Sequence, residues 1–161
     1  MRRFADCFGL VILLACLLSP AGRPAHAQDE RSTGQTLYVS IYSHVYTGPK
    51  LRPFQLTAML VARNTDPEHP ITITAADYHN TKGALVQRYV KEPVTVKPLE
   101  AVHLSIEEHD ERGGAGASFI VQWKSATPVN PPIIESLMLG TRSGQGISFR
   151  CPGKIITGYH R

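Results

Sequence analysis

The sequence predicts an all-β domain, specifically a Greek-key, immunoglobulin-like β-sandwich of about eight or nine short strands. Apolar and polar residues alternate in short runs, most clearly over 54–63, 71–77 and 118–124. Turn-forming residues, such as those of 64–70, separate the runs at near-regular intervals. No window of a dozen residues carries the apolar stripe of an amphipathic helix. These patterns together favour two packed sheets.

The alternation also predicts which side chains form the core. Trp123 is in phase with Phe119 and Val121, so we expect all three to point inward. Prolines flank the run 94–96, which is typical of a short edge strand or of a crossing between sheets. In chain order the other candidate strands cover 37–42, 54–63, 71–78, 84–90, 102–107, 118–124, 133–139, 146–150 and 154–157.

The first 27 residues have the features of a secretory signal peptide. Arg2 and Arg3 precede an uncharged apolar run over 8–18, and Ala25-His26-Ala27 supplies small residues for cleavage. The apolar run is too short to span a bilayer. We therefore expect a mature, secreted or periplasmic protein beginning near Gln28, with a flexible tail at 28–35, a sandwich domain at 36–158 and no transmembrane segment.

A second export route is a lipoprotein anchored through Cys16. Leu13-Leu14-Ala15-Cys16 resembles a lipobox. Leu14 is a poor residue for that motif, and an ordinary cleavage site follows, so simple cleavage is favoured.

Composition limits the function classes. Without residues 1–27 the net charge is about +2, too small for a nucleic-acid-binding surface. Cys151 is then the only cysteine, which excludes an intramolecular disulfide. Its thiol is a small buried group, a reactive one or a partner in an intermolecular disulfide, and the usual burial of free cysteine favours the first.

One candidate metal site involves His44 and His79. Both follow predicted strands, and strand ends far apart in sequence can meet at one pole of a sandwich. Asp77 shares a face with His79 and would complete a site for Zn²⁺ or Cu²⁺. No pair of histidines shows a regular ligand spacing, so the alternative is that both simply end strands.

Two other surfaces are candidates for binding. Glu107, Glu108 and Asp110 precede the glycine-rich stretch 113–116 and form a possible Ca²⁺ loop, although the spacing is not that of an EF-hand and a solvated loop is the alternative. Tyr38 and Tyr42 have the same strand parity and would form a partly exposed aromatic patch.

Several motifs together resemble a family of secreted bacterial proteins known as domain of unknown function 3124. The resemblance spans roughly 38–156. It rests on Tyr38-Val39-Ser40-Ile41-Tyr42-Ser43-His44-Val45-Tyr46, Asn64-Thr65-Asp66-Pro67, Ile71-Thr72-Ile73, Gly113-Gly114-Ala115-Gly116-Ala117-Ser118-Phe119-Ile120-Val121-Gln122-Trp123, Gly140-Thr141 and Gln145-Gly146-Ile147-Ser148-Phe149. It implies one exported domain and carries no activity.

The sequence therefore predicts a non-enzymatic binding or accessory module of the cell envelope, without a cofactor. Its expected partner is a protein or another envelope component. No Gly-x-Ser-x-Gly motif or other nucleophile signature is present. The alternative is a small periplasmic metal-binding protein that uses His44 and His79.

Overall fold

The structure is a computed structural model that describes residues 31–108, 110–142 and 144–159. The predicted signal peptide and residues 28–30 lie outside this part of the chain. All regular secondary structure in the described residues is β-strand, which confirms the all-β prediction. The strands are β1 (Ser32–Ile41), β2 (His44–Thr47), β3 (Arg52–Gln55), β4 (Thr57–Arg63), β5 (Ile71–His79), β6 (Leu85–Arg88), β7 (Val94–Val96), β8 (Ala101–Ile106), β9 (Ala117–Val129), β10 (Ile133–Arg142), β11 (Gln145–Pro152) and β12 (Lys154–Tyr159).

These strands form two main antiparallel sheets. The larger has the order β12-β1-β9-β5-β6, and β7 also pairs with β5. The smaller has the order β11-β10-β4-β8, while β2 and β3 form a separate two-stranded hairpin. The arrangement agrees with the predicted sandwich, and its Greek-key, immunoglobulin-like subtype stays a prediction. None of the described residues forms a helix long and apolar enough to span a membrane.

The core lies between the two main sheets and follows the predicted parity. Phe119, Val121 and Trp123 of β9 are buried, and the Trp123 side chain is only 2% exposed. The alternating apolar residues of the run 54–63 are buried as well. Burial of such large apolar side chains is the main force that holds the sheets together.

The polar segment before Leu37 is part of the fold. We predicted a flexible tail at 28–35, and that prediction was wrong for residues 32–35, which belong to β1. Gln35 is buried opposite Trp123, and Gly34 pairs with Tyr159 of β12. Two neighbouring strands satisfy the backbone groups of β1, so its polar sequence does not prevent strand formation.

The strand count is higher than predicted because some runs are divided. The run 54–63 is split at Leu56 into β3 and β4, which lie in different sheets. The sequence does not predict the hairpin of β2 and β3, because this segment lacks a clear alternation of apolar and polar residues. Its only core-facing cross-strand pair is Val45 and Phe54.

One long edge of the sandwich is closed and the other is open. At the closed edge the chain passes from β11 in one sheet directly to β12 in the other through Gly153. A Cβ at Gly153 would lie 2.7 Å from the Ile134 carbonyl oxygen, so only glycine fits this crossing. At the opposite edge β6 and β8 end their respective sheets. This open edge provides the space for a cleft.

The predicted turn at 64–70 is a buried polar cluster at one end of the sandwich. Asp66 is buried, and its side chain accepts hydrogen bonds from the backbone N–H groups of Glu68, His69 and Asn130. Asn64 donates through Nδ2 to the carbonyl oxygens of His69, Val96 and Lys97. The cluster connects three loops and has a structural role.

Candidate functional site

A cleft lies at the open edge, between β6 and β8. Its volume is about 720 Å³, and the loop that follows β8 closes one end of it. The lining residues come from two stretches of the chain, 87–89 and 105–112, and they are Gln87, Tyr89, Ser105, Glu107, Asp110, Glu111 and Arg112. Three carboxylates against one guanidinium give the cleft a net negative charge, so it favours cationic partners.

A smaller apolar cavity of about 270 Å³ adjoins the cleft along the same edge. Val90 and Leu104 line the apolar cavity, and their chain neighbours Tyr89 and Ser105 line the acidic one. The remaining walls come from both sheets and β7, through Leu60, Ala62, Ile73, Val94, Val102 and His103. The open edge therefore presents an apolar part beside an acidic part, a combination typical of binding sites.

Arg112 lines the acidic part of the cleft, and its side chain is 57% exposed. Its Nε and Nη2 donate to the two carboxylate oxygens of Asp110 at 2.8 and 2.7 Å, and Nη2 also donates to Gln87 Oε1 at 3.0 Å. These charge-assisted bonds lower the pKa of Asp110 and raise that of Arg112. The Asp110 carboxylate therefore stays ionised in an ion pair with Arg112, and Glu107 and Glu111 supply the negative charge of the cleft that this pair does not balance.

Aromatic rings form the inner wall behind the cleft. The Tyr89 ring meets Phe119 and Tyr78 at centroid distances of 5.3 and 6.1 Å, with both contacts edge-on. The Tyr78 side chain is fully buried, and its hydroxyl makes no hydrogen bond within the described part of the chain. That hydroxyl lies against Gly113, where a Cβ would overlap it. The glycine is therefore required for space.

Burial also shifts the acidity of these tyrosines. Loss of solvation raises the pKa of Tyr78 to about 12, and the negative charge of Asp110 acts in the same direction. The pKa of Tyr89 is raised by the same two causes. Three residues that line the cleft, Tyr89, Asp110 and Arg112, thus have shifted pKa values, and their causes are burial and the ion pair between Asp110 and Arg112.

The predicted Ca²⁺ loop of Glu107, Glu108 and Asp110 stays a prediction. Among the described residues these carboxylates do not belong to a group of three or more histidine, cysteine, aspartate or glutamate side chains placed to hold a metal. Asp110 pairs with Arg112, and the neighbouring Glu111 accepts a hydrogen bond from Gln55 Nε2. The acidic run forms the rim of the cleft.

His44 and His79 lie at the same pole of the sandwich, but each makes its own local contacts. Ser43 and Thr81, which adjoin these strand ends, both donate to carbonyl oxygens of the loop 113–116. The His44 ring interacts with Ser43 Oγ and Tyr46 Oη, at 3.2 and 3.3 Å, and His79 Nδ1 lies 3.1 Å from the Gly83 carbonyl oxygen.

Asp77 is the third residue of the predicted metal site. It shares the outer face of β5 with His79, and its carboxylate lies 3.9 Å from Arg88 Nε. Across the described chain, no group of three or more histidine, cysteine, aspartate or glutamate side chains is placed to hold a metal. His44, His79 and Asp77 therefore do not form a metal-holding group of three in the structure.

The predicted aromatic patch is not formed. Tyr38 lies on the outer face of β1 and is 39% exposed. Tyr42 follows the end of β1, where strand parity no longer applies, and its ring packs edge-on against Phe149 at 5.7 Å. Cys151 is half-buried against the core as a free thiol.

The comparisons with known proteins concern the family and the fold. A family model described as "Protein of unknown function (DUF3124)" matches residues 34–156, which confirms the resemblance noted in the sequence. No curated protein matches the chain. The crystal structure of Thermotoga maritima 1070 is similar over 77% of this chain and 96% of its own, with a TM-score of 0.49 and 14% identity.

Proposed function

The chain belongs to the DUF3124 family of proteins of unknown function, and we propose that it is an exported, non-enzymatic binding module of the cell envelope that acts through the cleft at its open edge. The observation that carries this proposal is the cleft itself, where an acidic cavity and an apolar cavity lie side by side between two strands that end their sheets. An edge strand offers unpaired backbone groups to a partner, and the cavities offer selectivity.

Export is the first part of the proposal, and intact-mass measurement tests it. Protein recovered from the envelope should begin near Gln28, since the small residues 25–27 precede that position. A mass that fits a diacylated Cys16 would replace simple cleavage with lipid anchoring. A full-length cytoplasmic product would refute export.

Binding through the cleft is the second part, and site-specific photo-crosslinking in cells tests it. A photoreactive residue at Ser105 lies in the cleft, whereas one at Gln122 is exposed on the outer face of the large sheet and serves as the control. We expect adducts with an envelope component from position 105 and not from 122. Glu107→Lys should reduce them. Equal labelling from both positions would contradict the role of the cleft.

A metal-binding role for His44 and His79 is the competing proposal. Its ligands make separate local contacts in the structure, and for that reason we place it second. Elemental analysis of the purified mature protein distinguishes the two proposals. Stoichiometric Zn²⁺ or Cu²⁺ that disappears in His44→Ala would favour the metal-binding role.

A further inference from the structure

The hairpin of β2 and β3 carries an exposed apolar and basic tip, which we define as residues 46–52. Leu51 is 68% exposed, and Tyr46 is also exposed. Lys50 and Arg52 are exposed and make no ion pair within the described residues. From 31 to 65 the chain contains no aspartate or glutamate. The tip is therefore positively charged around an apolar centre.

The backbone at Leu51 makes this exposed leucine unusual. Its φ is +48°, a left-handed conformation that leucine adopts at a cost and that asparagine or glycine adopts easily. Leu99 has the same combination, with φ +60° and 71% exposure. It differs in its neighbours, because the adjacent Glu100 accepts a hydrogen bond from the Lys97 N–H. Only Leu51 lies in an acid-free, basic segment.

Each property of the tip has its complement in the cleft. The basic side chains of Lys50 and Arg52 match the carboxylates of Glu107 and Glu111, which make no ion pair within the described residues. Leu51 matches the adjoining apolar cavity, whose volume of about 270 Å³ exceeds that of one leucine side chain. Opposite potentials of this kind steer and select protein partners.

The tip and the cleft also lie at the same pole of the molecule. Gln55, at the base of the hairpin, donates a hydrogen bond to Glu111 at the rim of the cleft. Yet the tip is exposed rather than inserted into the cleft of its own chain. Two copies related by a two-fold axis could each place their tip in the other's cleft, since both contacts would then be identical.

We propose that the cleft accepts the hairpin tip of a second copy of this chain, which yields a homodimer with two reciprocal contacts. This inference rests on the proposed binding role of the cleft and names its partner. The tip supplies Leu51 with its two basic neighbours, and the cleft supplies the apolar cavity with its acidic rim. The resulting association is salt-sensitive because charges flank the apolar contact.

Charge reversal with sedimentation-velocity measurements tests the proposal. One variant, K50E/R52E, makes both tip and cleft acidic, and a second, E107K/E111K, makes both basic. We expect each variant alone to self-associate at least about tenfold more weakly than the wild type. An equimolar mixture should regain the affinity, since every contact between unlike copies again joins opposite charges. Circular dichroism confirms that each variant is folded.

A matched pair of leucine variants tests the apolar part. Leu51→Asn should weaken self-association, whereas Leu99→Asn should leave it unchanged, because the two positions share backbone conformation and exposure. A wild type that stays monomeric up to about millimolar concentration, equal effects of the two leucine variants, or a mixture that fails to recover would each overturn the inference. If crosslinks from Ser105 to another envelope component persist in that case, the proposed function stands without the dimer.

Discussion

The indole Nε1 of Trp123 donates a hydrogen bond to Gln35 Oε1, 3.3 Å away, in the interior of the sandwich. The two residues are directly opposite each other on β9 and β1. A buried donor that loses its acceptor retains its full desolvation cost. The pair therefore ties the polar start of β1 to the largest aromatic side chain of the core.

Replacing Gln35 with leucine should destabilise the protein by about 1–3 kcal/mol, because the Trp123 N–H is left without an acceptor. Chemical denaturation followed by far-UV circular dichroism measures this change, a readout that does not depend on Trp123, the only tryptophan of the chain. Trp123→Phe removes the N–H donor. The loss of stability caused by Gln35→Leu should therefore be smaller in a Trp123→Phe background than in the wild type. Full additivity of the two substitutions would show that the hydrogen bond contributes nothing.

Asp66→Asn should cost about 1–3 kcal/mol, because one of the two accepting oxygens becomes an amide group that faces a backbone N–H. Glu68→Gln, an exposed change in the same turn, is the control and should have little effect. Urea unfolding at neutral pH measures both. A near-neutral Asp66→Asn would mean that the cluster tolerates the loss of the carboxylate.

The same carboxylate predicts an acid dependence of stability. Backbone hydrogen bonds, with that of Glu68 the largest, hold the pKa of Asp66 well below its ordinary value of 3.8, although burial opposes them. A group with a lowered pKa stabilises the fold fully above the unfolded-state value and loses this contribution as the pH falls below it. Wild-type stability should thus fall more steeply than that of Asp66→Asn below about pH 4. Parallel curves for the two proteins would contradict this.

Much of the core could be predicted from sequence, because strand parity is a local property. Trp123 and Phe119 were placed inward from alternation alone. Gln35 could not be placed in the core, because its partner is 88 positions away and its own neighbours are polar. The cleft escaped prediction for a similar reason: Tyr89 and Ser105 meet only when the sheets are stacked.

The acidic run illustrates what sequence reasoning misses at a site. It indicated Glu107 and Asp110 as a loop of interest, and both do line the cleft. The only feature of the local sequence that bears on cation binding is Arg112, two positions after Asp110, and the two side chains pair in the structure. A neighbouring arginine opposes cation binding, and this pair would have argued against a Ca²⁺ loop.

Gly113→Ala should destabilise the fold by about 1–3 kcal/mol, since the added methyl group overlaps the buried Tyr78 hydroxyl. Tyr78→Phe alone should be close to neutral or stabilising, because it removes a buried hydroxyl that lacks a partner in the described residues. In the double variant the penalty of Gly113→Ala should be smaller. Thermal unfolding of the four proteins measures the coupling, and strictly additive penalties would exclude it.

Alkaline pH should weaken the fold through Tyr78. Its pKa rises from 10.0 to about 12 on folding, so the folded state binds this proton more tightly than the unfolded state. Tyr78 therefore contributes its full stabilisation below pH 10 and loses it as the pH rises toward about 12. Across this window the free energy of unfolding of the wild type should fall by up to about 2–3 kcal/mol, and that of Tyr78→Phe should fall less. If the free energy of unfolding of the variant falls as steeply with pH as that of the wild type, another group causes the loss.

The pairing of Gly34 with Tyr159 has a consequence for how the domain can be attached to other structures. Both residues lie at the end of the sandwich opposite the hairpin and the acidic rim, because the whole of β1 separates Gly34 from Ile41. A surface anchor or a fused reporter joined on either side therefore extends from the same place, and it leaves the opposite pole free. For the same reason, a short linker between these two positions would permit circular permutation with new ends in an exposed turn such as 80–83.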